Sequence, residues 1–197
     1  MKQKELEMAL QSLKAHDNPE PGLEQYPTPP AIAADVLYTA FGMGDIGGKR
    51  VVDLGCGTGI FAIGASMLGA QEVTGVDIDP KIMKAARANA EAVGCDITFI
   101  ETDVTGIEGR FDTCIQNPPF GAQRKHADLP FLHKSLEIAG VVYTLHNSLT
   151  SDFIEREVKG LRREICFRKR YSFELKHSFK FHRKEREFVD VTMFRIE

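Results

Sequence analysis

The sequence lacks the features that would indicate a membrane protein, a disulfide framework or a structural metal site. No apolar run approaches membrane-spanning length, and the first five residues contain no hydrophobic signal region. No pair of cysteines has Cys-x-x-Cys spacing, which argues against zinc and against disulfides. We therefore expect a cytoplasmic protein without a metal site. Its cysteines should be small core residues or reduced surface thiols, at Cys56, Cys95, Cys114 and Cys166.

The sequence also lacks internal repeats and low-complexity tracts. With 197 residues, of which 43% are hydrophobic, the chain can form one α/β domain with a substantial core, and a second domain is not expected. We assign residues 31–197 to this domain and residues 1–30 to an N-terminal segment. That segment combines an amphipathic helix over residues 1–15 with a stiff stretch over residues 16–30. The stretch holds five of the nine prolines and is suited to lie across a ligand site as a lid.

Alternating helical and strand patterns run from residue 31 to residue 116, which predicts a parallel sheet covered by helices on both faces. The last two strands, near residues 163–171 and 188–194, have no helix between them and should form an antiparallel hairpin. Between these regions we predict a helix, a strand and a helix, at residues 129–139, 141–145 and 151–160. The fold class is therefore α/β, a doubly wound and mostly parallel sheet of seven strands with a C-terminal antiparallel hairpin.

The most informative motif is Asn117-Pro118-Pro119-Phe120, which directly follows an apolar run, Thr113 to Ile115, typical of a buried strand. Two consecutive prolines fix φ and remove two backbone donors, so the loop is stiff and its carbonyl groups stay unpaired. An amide, a fixed carbonyl and an aromatic ring then project together from the end of the sheet. Together these three groups are suited to bind a planar ligand that carries an NH₂. Alone, the motif could equally be a rigid turn.

Three further strand ends carry glycines or acids. The strand Val51 to Leu54 runs into Gly55-Cys56-Gly57-Thr58-Gly59-Ile60, whose alternate glycines let the backbone turn sharply before a helix offers its amide groups to a ligand. Asp77 ends the next apolar run, 22 residues after Gly55, where its carboxylate can accept both hydroxyls of a ribose. Asp103 follows the run Ile97 to Ile100 and is suited to bind an exocyclic amine. The three strand ends converge on one adenosine-shaped ligand.

These motifs, in this order and at this spacing, resemble those of class I S-adenosylmethionine-dependent methyltransferases that act on amino groups. Two further segments, Leu23 to Pro29 and Lys180 to Lys184, make the chain similar to the methyltransferase-like subfamily that forms N6-methyladenosine in small-subunit rRNA. The resemblance covers almost the whole chain and suggests an archaeal-type relative. It implies a Rossmann-like methyltransferase sheet, S-adenosylmethionine as cofactor and structured RNA as substrate.

The chemistry of an adenine amine explains the residues of the proline motif. The N6 lone pair is delocalised into the ring, so the amine is a poor nucleophile until it is held out of plane. The Asn117 side-chain oxygen and the Pro118 carbonyl can each accept one N6 hydrogen, while Pro119 keeps the loop shape and Phe120 stacks on the extruded base. No strong general base is needed. Methylation of cytosine C5 would need a nucleophilic cysteine, usually beside proline, and none of the cysteines has that neighbour.

The resemblance also implies a set of cofactor residues. They are Gln25, Tyr26, Thr28, Gly55, Gly57, Thr58, Gly59, Ile60, Asp77, Asp103 and Val104. Thr28 has a competing interpretation, since it could merely cap the helix that begins near Ala31. Two other acids are expected to be structural: Asp79 as the cap of the helix at Pro80, and Asp53 as a hydrogen-bond partner at a strand end.

Positive charge is concentrated near the C-terminus. Residues 156–187 contain 12 Lys or Arg and 5 Asp or Glu, a net of +7 in a chain of net charge −3. Such a block is often only a solvated face, but here aromatic residues lie between the cations, as in proteins that bind unpaired bases. The predicted RNA-binding residues are Lys180, His182, Arg183 and Lys184, although His182 could equally be an exposed histidine without a role.

The strand order of the resembled class places Ile97 to Ile100 at an edge of the sheet, where another chain can add a strand. The eukaryotic members of the subfamily work with a small zinc-binding activator, so a similar partner is predicted here. The alternative is an edge shielded by Asp96, Glu101 and local loops. Other activities left open are N2-guanine methylation of rRNA, methylation of a protein glutamine, and an inactive RNA-binding or assembly module.

Overall fold

We describe the protein from a computed structural model, in residues 1–15, 27–120, 126–175 and 187–197. These residues form a seven-stranded sheet of order β3-β2-β1-β4-β5-β7-β6. The first five strands are mutually parallel, whereas β7 runs antiparallel to both β5 and β6. The strands are β1 Arg50–Leu54, β2 Glu72–Asp77, β3 Thr98–Glu101, β4 Phe111–Gln116, β5 Ala139–Asn147, β6 Ile165–Leu175 and β7 Glu187–Ile196.

Six helices cover this sheet in the described part of the chain. They are α1 Gln3–Gln11, α2 Pro30–Gly42, α3 Ile60–Met67, α4 Pro80–Ala92, α5 Leu129–Ile138 and α6 Ser151–Gly160. Local sequence sets their starts. α2, α4 and α5 have Pro in the first turn, where its missing N–H is not needed. The Asp79 carboxylate caps α4 by accepting from the Lys81 amide at 2.9 Å, which confirms the predicted cap.

The core has two halves, one on each face of the sheet. Residues of α1 to α4 pack on one face in a single cluster, which includes Leu6 and Leu10 of α1 at 0% and 1% exposure. Residues of α5 and α6 pack on the other face against Val52, Leu54 and Cys114. Full burial of a leucine contributes about 1.5–3 kcal/mol, so α1 is an integral part of the core. The division of the chain at residue 30 remains a prediction.

Two charged clusters fasten the C-terminal hairpin to the rest of the fold. Arg195 of β7 donates from Nε to Asp45 at 2.9 Å, and Tyr143 of β5 donates to the same carboxylate at 2.6 Å. Asp35 of α2 accepts from Lys169 and Tyr171 of β6 at 2.6 and 2.7 Å. Although β6 is far from α2 in sequence, these contacts fix the hairpin against the first helical layer.

The predicted sheet, its parallel core and its antiparallel finish are confirmed. The third strand is shifted by one residue, to Thr98–Glu101, and it does lie at the edge of the sheet. Two cysteines are buried, one is partly buried and Cys166 is exposed, as expected for core residues and surface thiols. Among the described residues, no helix is long and apolar enough to cross a membrane, and no cluster of three or more His, Cys, Asp or Glu could hold a metal ion.

Candidate active site

The carboxyl ends of four parallel strands bring four groups of the predicted site residues to one edge of the sheet. In the register of the sheet, Leu54 pairs with Val76 on one side and with Gln116 on the other. Asp77 pairs with Glu101. The segments that follow these positions are therefore neighbours. They contain the glycine loop after β1, Asp77 at the end of β2, Asp103 after β3 and the proline motif after β4.

The glycine loop, residues 55–59, has a backbone that only glycine adopts easily. Gly55, Gly57 and Gly59 have φ of +69°, +54° and +89°. At Gly55 an added Cβ would also lie 3.0 Å from the Phe131 ring, so a side chain there would be strained for two reasons. Because these glycines have no side chains, a nucleotide-type ligand can approach the backbone amides at the start of α3.

Asp77 holds the glycine loop in place. Its Oδ2 accepts from the Gly57 amide at 2.9 Å, and its Oδ1 accepts from the Asp79 amide at 3.1 Å. Burial raises the pKa of the Asp77 carboxyl, although these two amides oppose the shift. The carboxylate is therefore fixed in direction before any ligand arrives, and it lies next to the loop that would contact the same ligand.

Asp53 behaves as the structural partner that the sequence predicts. Its side chain is buried in the middle of the fold, and Oδ2 accepts from the Ala62 amide in the first turn of α3 at 3.0 Å. Burial raises the pKa of Asp53 to about 8, with the amide of Ala62 opposing and the charge of Asp77 adding to the shift. The role of Asp53 is to connect β1 to α3.

Asp103 and Val104 lie at the third strand end. Asp103 Oδ1 accepts from the Thr105 amide at 2.9 Å and from its hydroxyl, capping the short 3-10 turn at Val104–Gly106. These bonds lower the pKa of Asp103. Val104 is buried at 7% exposure. The Asp103 carboxylate is thus charged and fixed near the end of β3, with one oxygen bonded to Thr105.

The proline motif presents a buried acceptor. Asn117 Oδ1 is buried and has no hydrogen-bond partner among the described residues. Its amide nitrogen, Nδ2, donates to Thr28 Oγ1 at 3.0 Å. Pro118 is buried, and Phe120 is partly buried against the core. An unpaired buried oxygen costs about 1–3 kcal/mol, so this atom is suited to receive a donor that comes with a substrate.

The contact of Thr28 corrects one interpretation of the sequence. Pro29, not Thr28, occupies the N-cap position of α2, and no side-chain cap of that helix start is found among the described residues. Because Pro29 and Pro30 begin the helix, the Thr28 hydroxyl is turned away from the helix end and meets Asn117 instead. Gln25 and Tyr26, the other predicted residues of this segment, lie outside the described residues.

Sequence reasoning missed a buried polar chain beneath the proline motif. Gln116 Nε2 donates to Ser135 Oγ at 3.2 Å and to Thr144 Oγ1 at 3.0 Å. Thr144 is hydrogen-bonded to His146 Nε2 at 2.8 Å, and His146 Nδ1 to Asp128 at 2.9 Å. Burial alone would raise the pKa of Asp128, but the contact with His146 outweighs the effect of burial, so the pKa is lowered. This chain fixes the end of β4, the residue directly before Asn117.

A second missed residue is Asn89 of α4, which is 3% exposed. Its Oδ1 accepts from the Lys14 amide at 3.0 Å, and its Nδ2 donates to the carbonyls of Lys14 and Thr58 at 3.1 Å each. One amide therefore joins the segment after α1 to the glycine loop. An asparagine inside a helical pattern gives no sequence signal of such a contact, because its partners are 75 and 31 residues away.

The predicted RNA-binding residues Lys180, His182, Arg183 and Lys184 all lie outside the described residues. In the described part of the basic block, several residues already have structural partners. Arg168 pairs with Glu155 at 2.7 Å and Lys169 with Asp35. Phe167 and Tyr171 pack against the core, which confirms that some aromatics of this block are core positions.

The fold and the site together define a class I methyltransferase that acts on amino groups. The defining features are the mostly parallel sheet with its antiparallel C-terminal hairpin, the glycine turn after β1, the acid at the end of β2 and Asn-Pro-Pro-Phe after β4. Comparison with known proteins agrees. The chain belongs to the methyltransferase small domain family, whose model matches residues 32–141.

Relatives and solved structures also match along the whole chain. An uncharacterised protein of Methanocaldococcus jannaschii is 41% identical, over 100% of this chain and 94% of the relative. The rRNA N6-adenosine-methyltransferase METTL5 of Danio rerio is 38% identical, over 100% of this chain and 99% of the relative. The crystal structure of a candidate RNA methyltransferase from Pyrococcus horikoshii has a TM-score of 0.93 at 40% identity, and covers 100% of this chain and 98% of its own. The resemblance seen in the sequence is confirmed.

Proposed function

We propose that this enzyme transfers a methyl group from S-adenosylmethionine to the N6 amine of an adenine in structured RNA, and that the RNA is ribosomal. The observation that carries the proposal is Asn117 Oδ1, a buried acceptor without a described partner at the end of β4. Full-length similarity to enzymes named as rRNA N6-adenosine-methyltransferases supports the choice of substrate. We also propose the cytoplasm as its place of action.

The residues present fit the cofactor. Gly55 and Gly57 have no side chain and so leave room for a ligand to approach the backbone, and the Asp77 carboxylate, which the Gly57 amide holds, would accept the ribose hydroxyls. Asp103 and Val104 would hold the adenine end, while Thr58, Gly59 and Ile60 form the turn into α3. When bound, S-adenosylmethionine supplies the electrophilic methyl group of a sulfonium.

The proline motif would then activate and orient the amine. Asn117 Oδ1 and the Pro118 carbonyl would each accept one N6 hydrogen, which concentrates electron density on the nitrogen and aligns it for in-line attack. Phe120 would stack on the extruded base and Pro119 would maintain the loop. The buried thiols of Cys56 and Cys114 have their pKa raised well above the usual value by burial, so neither is a ready nucleophile.

The identity of the methylated nucleoside tests this proposal. Purified enzyme, labelled S-adenosylmethionine and small-subunit rRNA should give a labelled nucleoside that elutes with N6-methyladenosine after digestion. Label in N2-methylguanosine, or in glutamine of a ribosomal protein, would instead support one of the two alternative methyltransferase activities. No transfer to RNA or protein, together with retained RNA binding, would support the inactive assembly module.

The basic block is proposed to dock the folded RNA. Replacing Lys180, Arg183 and Lys184 with Ala should flatten the dependence of log affinity on log salt by about 0.7 for each lost phosphate contact. A matched control removes the same charge elsewhere, at Lys2, Lys4 and Lys49, and should leave the slope nearly unchanged. The measurement is RNA affinity across a salt series.

Cofactor binding should remain intact in both triple variants, because none of the replaced cations is among the proposed cofactor residues. Methylation of a short single-stranded oligonucleotide should suffer less than methylation of whole rRNA, since the basic residues are proposed to dock the fold of the substrate. Equal RNA affinity in the first triple variant and in wild type, at every salt concentration, would show that these cations form only a solvated face.

The edge strand β3 is proposed to bind a small zinc-binding activator protein. β3 pairs with β2 on one side only in the described sheet, and Ile100 is 36% exposed. Unpaired edges of this kind accept an added strand. The edge is partly covered, because Arg87 Nη2 donates to the Phe99 carbonyl at 2.9 Å. An added strand would therefore have to displace or accommodate Arg87.

Affinity purification from the native host tests the activator. Wild-type protein should retain a small zinc-binding partner in equal amounts, whereas Ile100→Lys should lose it because a charge then lies on the edge. Leu161→Lys is the matched control, since Leu161 is an exposed apolar residue after α6 at 44% exposure. The absence of any stoichiometric small partner from the wild-type preparation would contradict this proposal.

A further inference from the structure

One buried histidine links two elements that border the proposed site. His146 of β5 is 1% exposed, with Nδ1 at 2.9 Å from Asp128 Oδ2 and Nε2 at 2.8 Å from Thr144 Oγ1. Asp128 is the N-cap residue of α5. Thr144 in turn accepts from Gln116, the residue directly before the proline motif. His146 therefore connects the end of β4 to the start of α5.

The geometry of the sheet brings these side chains together on one face. Val142 belongs to the core cluster on the α5 side, and Thr144 and His146 follow it at intervals of two residues along β5. Gln116 pairs with Thr144 in the register of β4 and β5. Tyr143 lies between them in sequence and packs in the cluster on the opposite face. The connection is therefore built into the strand pattern of β4 and β5.

The two ends of this polar chain set the direction of its hydrogen bonds. Ser135 Oγ donates to a carbonyl of its own helix at 2.9 Å, so it can only accept from Gln116 Nε2. Gln116 Nε2 also donates to Thr144 Oγ1, which leaves the Thr144 hydrogen for His146 Nε2. At the other end the Asp128 carboxylate only accepts, so His146 Nδ1 carries the hydrogen between them. Each donor thus has an acceptor, which makes the connection rigid.

The start of α5 also contacts the glycine loop. Phe131 lies in the first turn of α5, and its ring packs so closely on Gly55 that an added Cβ would lie 3.0 Å from it. Asp128 precedes Phe131 by three residues, about one helical turn. The proposed cofactor loop therefore rests against the same helix end that His146 joins to the residue before Asn117.

We propose that His146 is a positioning residue, which fixes the end of β4 and the start of α5 relative to each other and so sets the distance between the substrate amine and the cofactor. This inference rests on the proposed function, because it assumes that Asn117 accepts the amine and that the glycine loop binds the cofactor. Such a distance matters, since a displacement of about 1 Å can lower a rate by about 10²-fold. His146 acts through Asn117 and α5, not on the reacting atoms.

The first test removes the imidazole at nearly constant volume. His146→Leu should lower the single-turnover rate of methyl transfer about 10- to 100-fold at saturating RNA and cofactor. The affinity for S-adenosylmethionine, measured by calorimetry, should stay within about twofold of wild type, because Asp77 still holds the glycine loop. A loss that appears in cofactor affinity and not in rate would overturn the positioning role.

A milder pair of variants decides the question if His146→Leu does not fold with the Asp128 carboxylate unpaired. Thr144→Val keeps the shape of the side chain and leaves the contact between His146 and Asp128 intact, but it interrupts the chain at its centre. It should lower the rate about 5- to 10-fold, the value of about one hydrogen bond. Thr144→Ser keeps the hydroxyl and should retain most of the wild-type rate.

Tyr143→Phe is the matched control on the same strand. The Tyr143 hydroxyl is also buried and donates to the Asp45 carboxylate at 2.6 Å, but this contact lies on the opposite face and does not involve the proline motif. Tyr143→Phe should lower the melting temperature and leave the rate within about twofold of wild type. Thermal melting of all the variants separates loss of stability from loss of rate.

Two results would overturn the positioning role, and a third concerns the proposed function alone. A wild-type rate in folded Thr144→Val would show that the connection does not set the geometry of the site. A loss in Tyr143→Phe as large as that in Thr144→Val would show a general effect of core stability. If Asn117→Ala itself kept the wild-type rate, the amine-acceptor function would fail, which is a separate and recognisable outcome.

Discussion

Replacing Asn117 with Ala is expected to slow methyl transfer by about 10²-fold or more, with the affinity for S-adenosylmethionine nearly unchanged. The change removes one of two proposed acceptors for the adenine amine. The loss should be confined to the transition state, because the oxygen is proposed to accept from the reacting amine and not to contact the cofactor. Single-turnover transfer of labelled methyl groups and calorimetry measure the two quantities separately.

A matched control is available at the neighbouring strand end. Asn147 ends β5, and its Oδ1 accepts from the Leu149 amide at 3.0 Å in a purely local turn. Asn147→Ala should therefore have a small effect on rate. Phe120→Ala should act differently from Asn117→Ala and weaken base capture, which appears as lower affinity for the RNA target. Wild-type transfer in Asn117→Ala would show that the amine-acceptor mechanism is wrong.

Replacing Asp77 with Ala is expected to abolish most of the thermal stabilisation that S-adenosylmethionine gives to the wild-type protein. A ligand at 100 times its dissociation constant stabilises a folded protein by about 2.7 kcal/mol. Asp77→Ala removes the proposed partner of the ribose hydroxyls, and it also releases the Gly57 amide that the carboxylate holds at 2.9 Å. Both losses weaken the same site, so the effect on affinity should be large.

Asp112→Ala is the matched control for this experiment. Asp112 also accepts a backbone amide, from Arg50 at 2.8 Å, but it lies near the start of β4 and so at the opposite edge of the sheet. Asp112→Ala should lower the free energy of unfolding slightly and leave the ligand-induced thermal stabilisation unchanged. Calorimetry that finds undiminished cofactor binding in Asp77→Ala would remove this acid from the site.

The sequence was sufficient to place the candidate residues Asp77 and Asn117 at strand ends. Asp77 and Asn117 each follow an apolar run, and the parallel order of those runs brings their ends to one edge. Asp53 and Asp79 were also interpreted correctly, because a strand end and a Pro-initiated helix are local signals. Local patterns of this kind can be recognised without any knowledge of the tertiary fold.

The contacts that connect these parts could not be predicted. Thr28 does not cap a helix but contacts a side chain 89 residues away, and its role at the cofactor stays a prediction. Asn89 and the hydrogen-bonded side chains that connect Gln116 to Asp128 gave no sequence signal, since a single polar residue in a helix or strand pattern does not reveal which residue it contacts. Such pairings depend on how separate layers pack, and periodicity within one element contains no information about them.

The most direct test of the central claim is mass spectrometry of modified nucleosides in small-subunit rRNA from host cells with and without the gene. Loss of the gene should remove one N6-methyladenosine, the wild-type gene should restore it, and the Asn117→Ala gene should not. An unchanged N6-methyladenosine content after loss of the gene, or its restoration by the Asn117→Ala variant, would contradict the assigned chemistry.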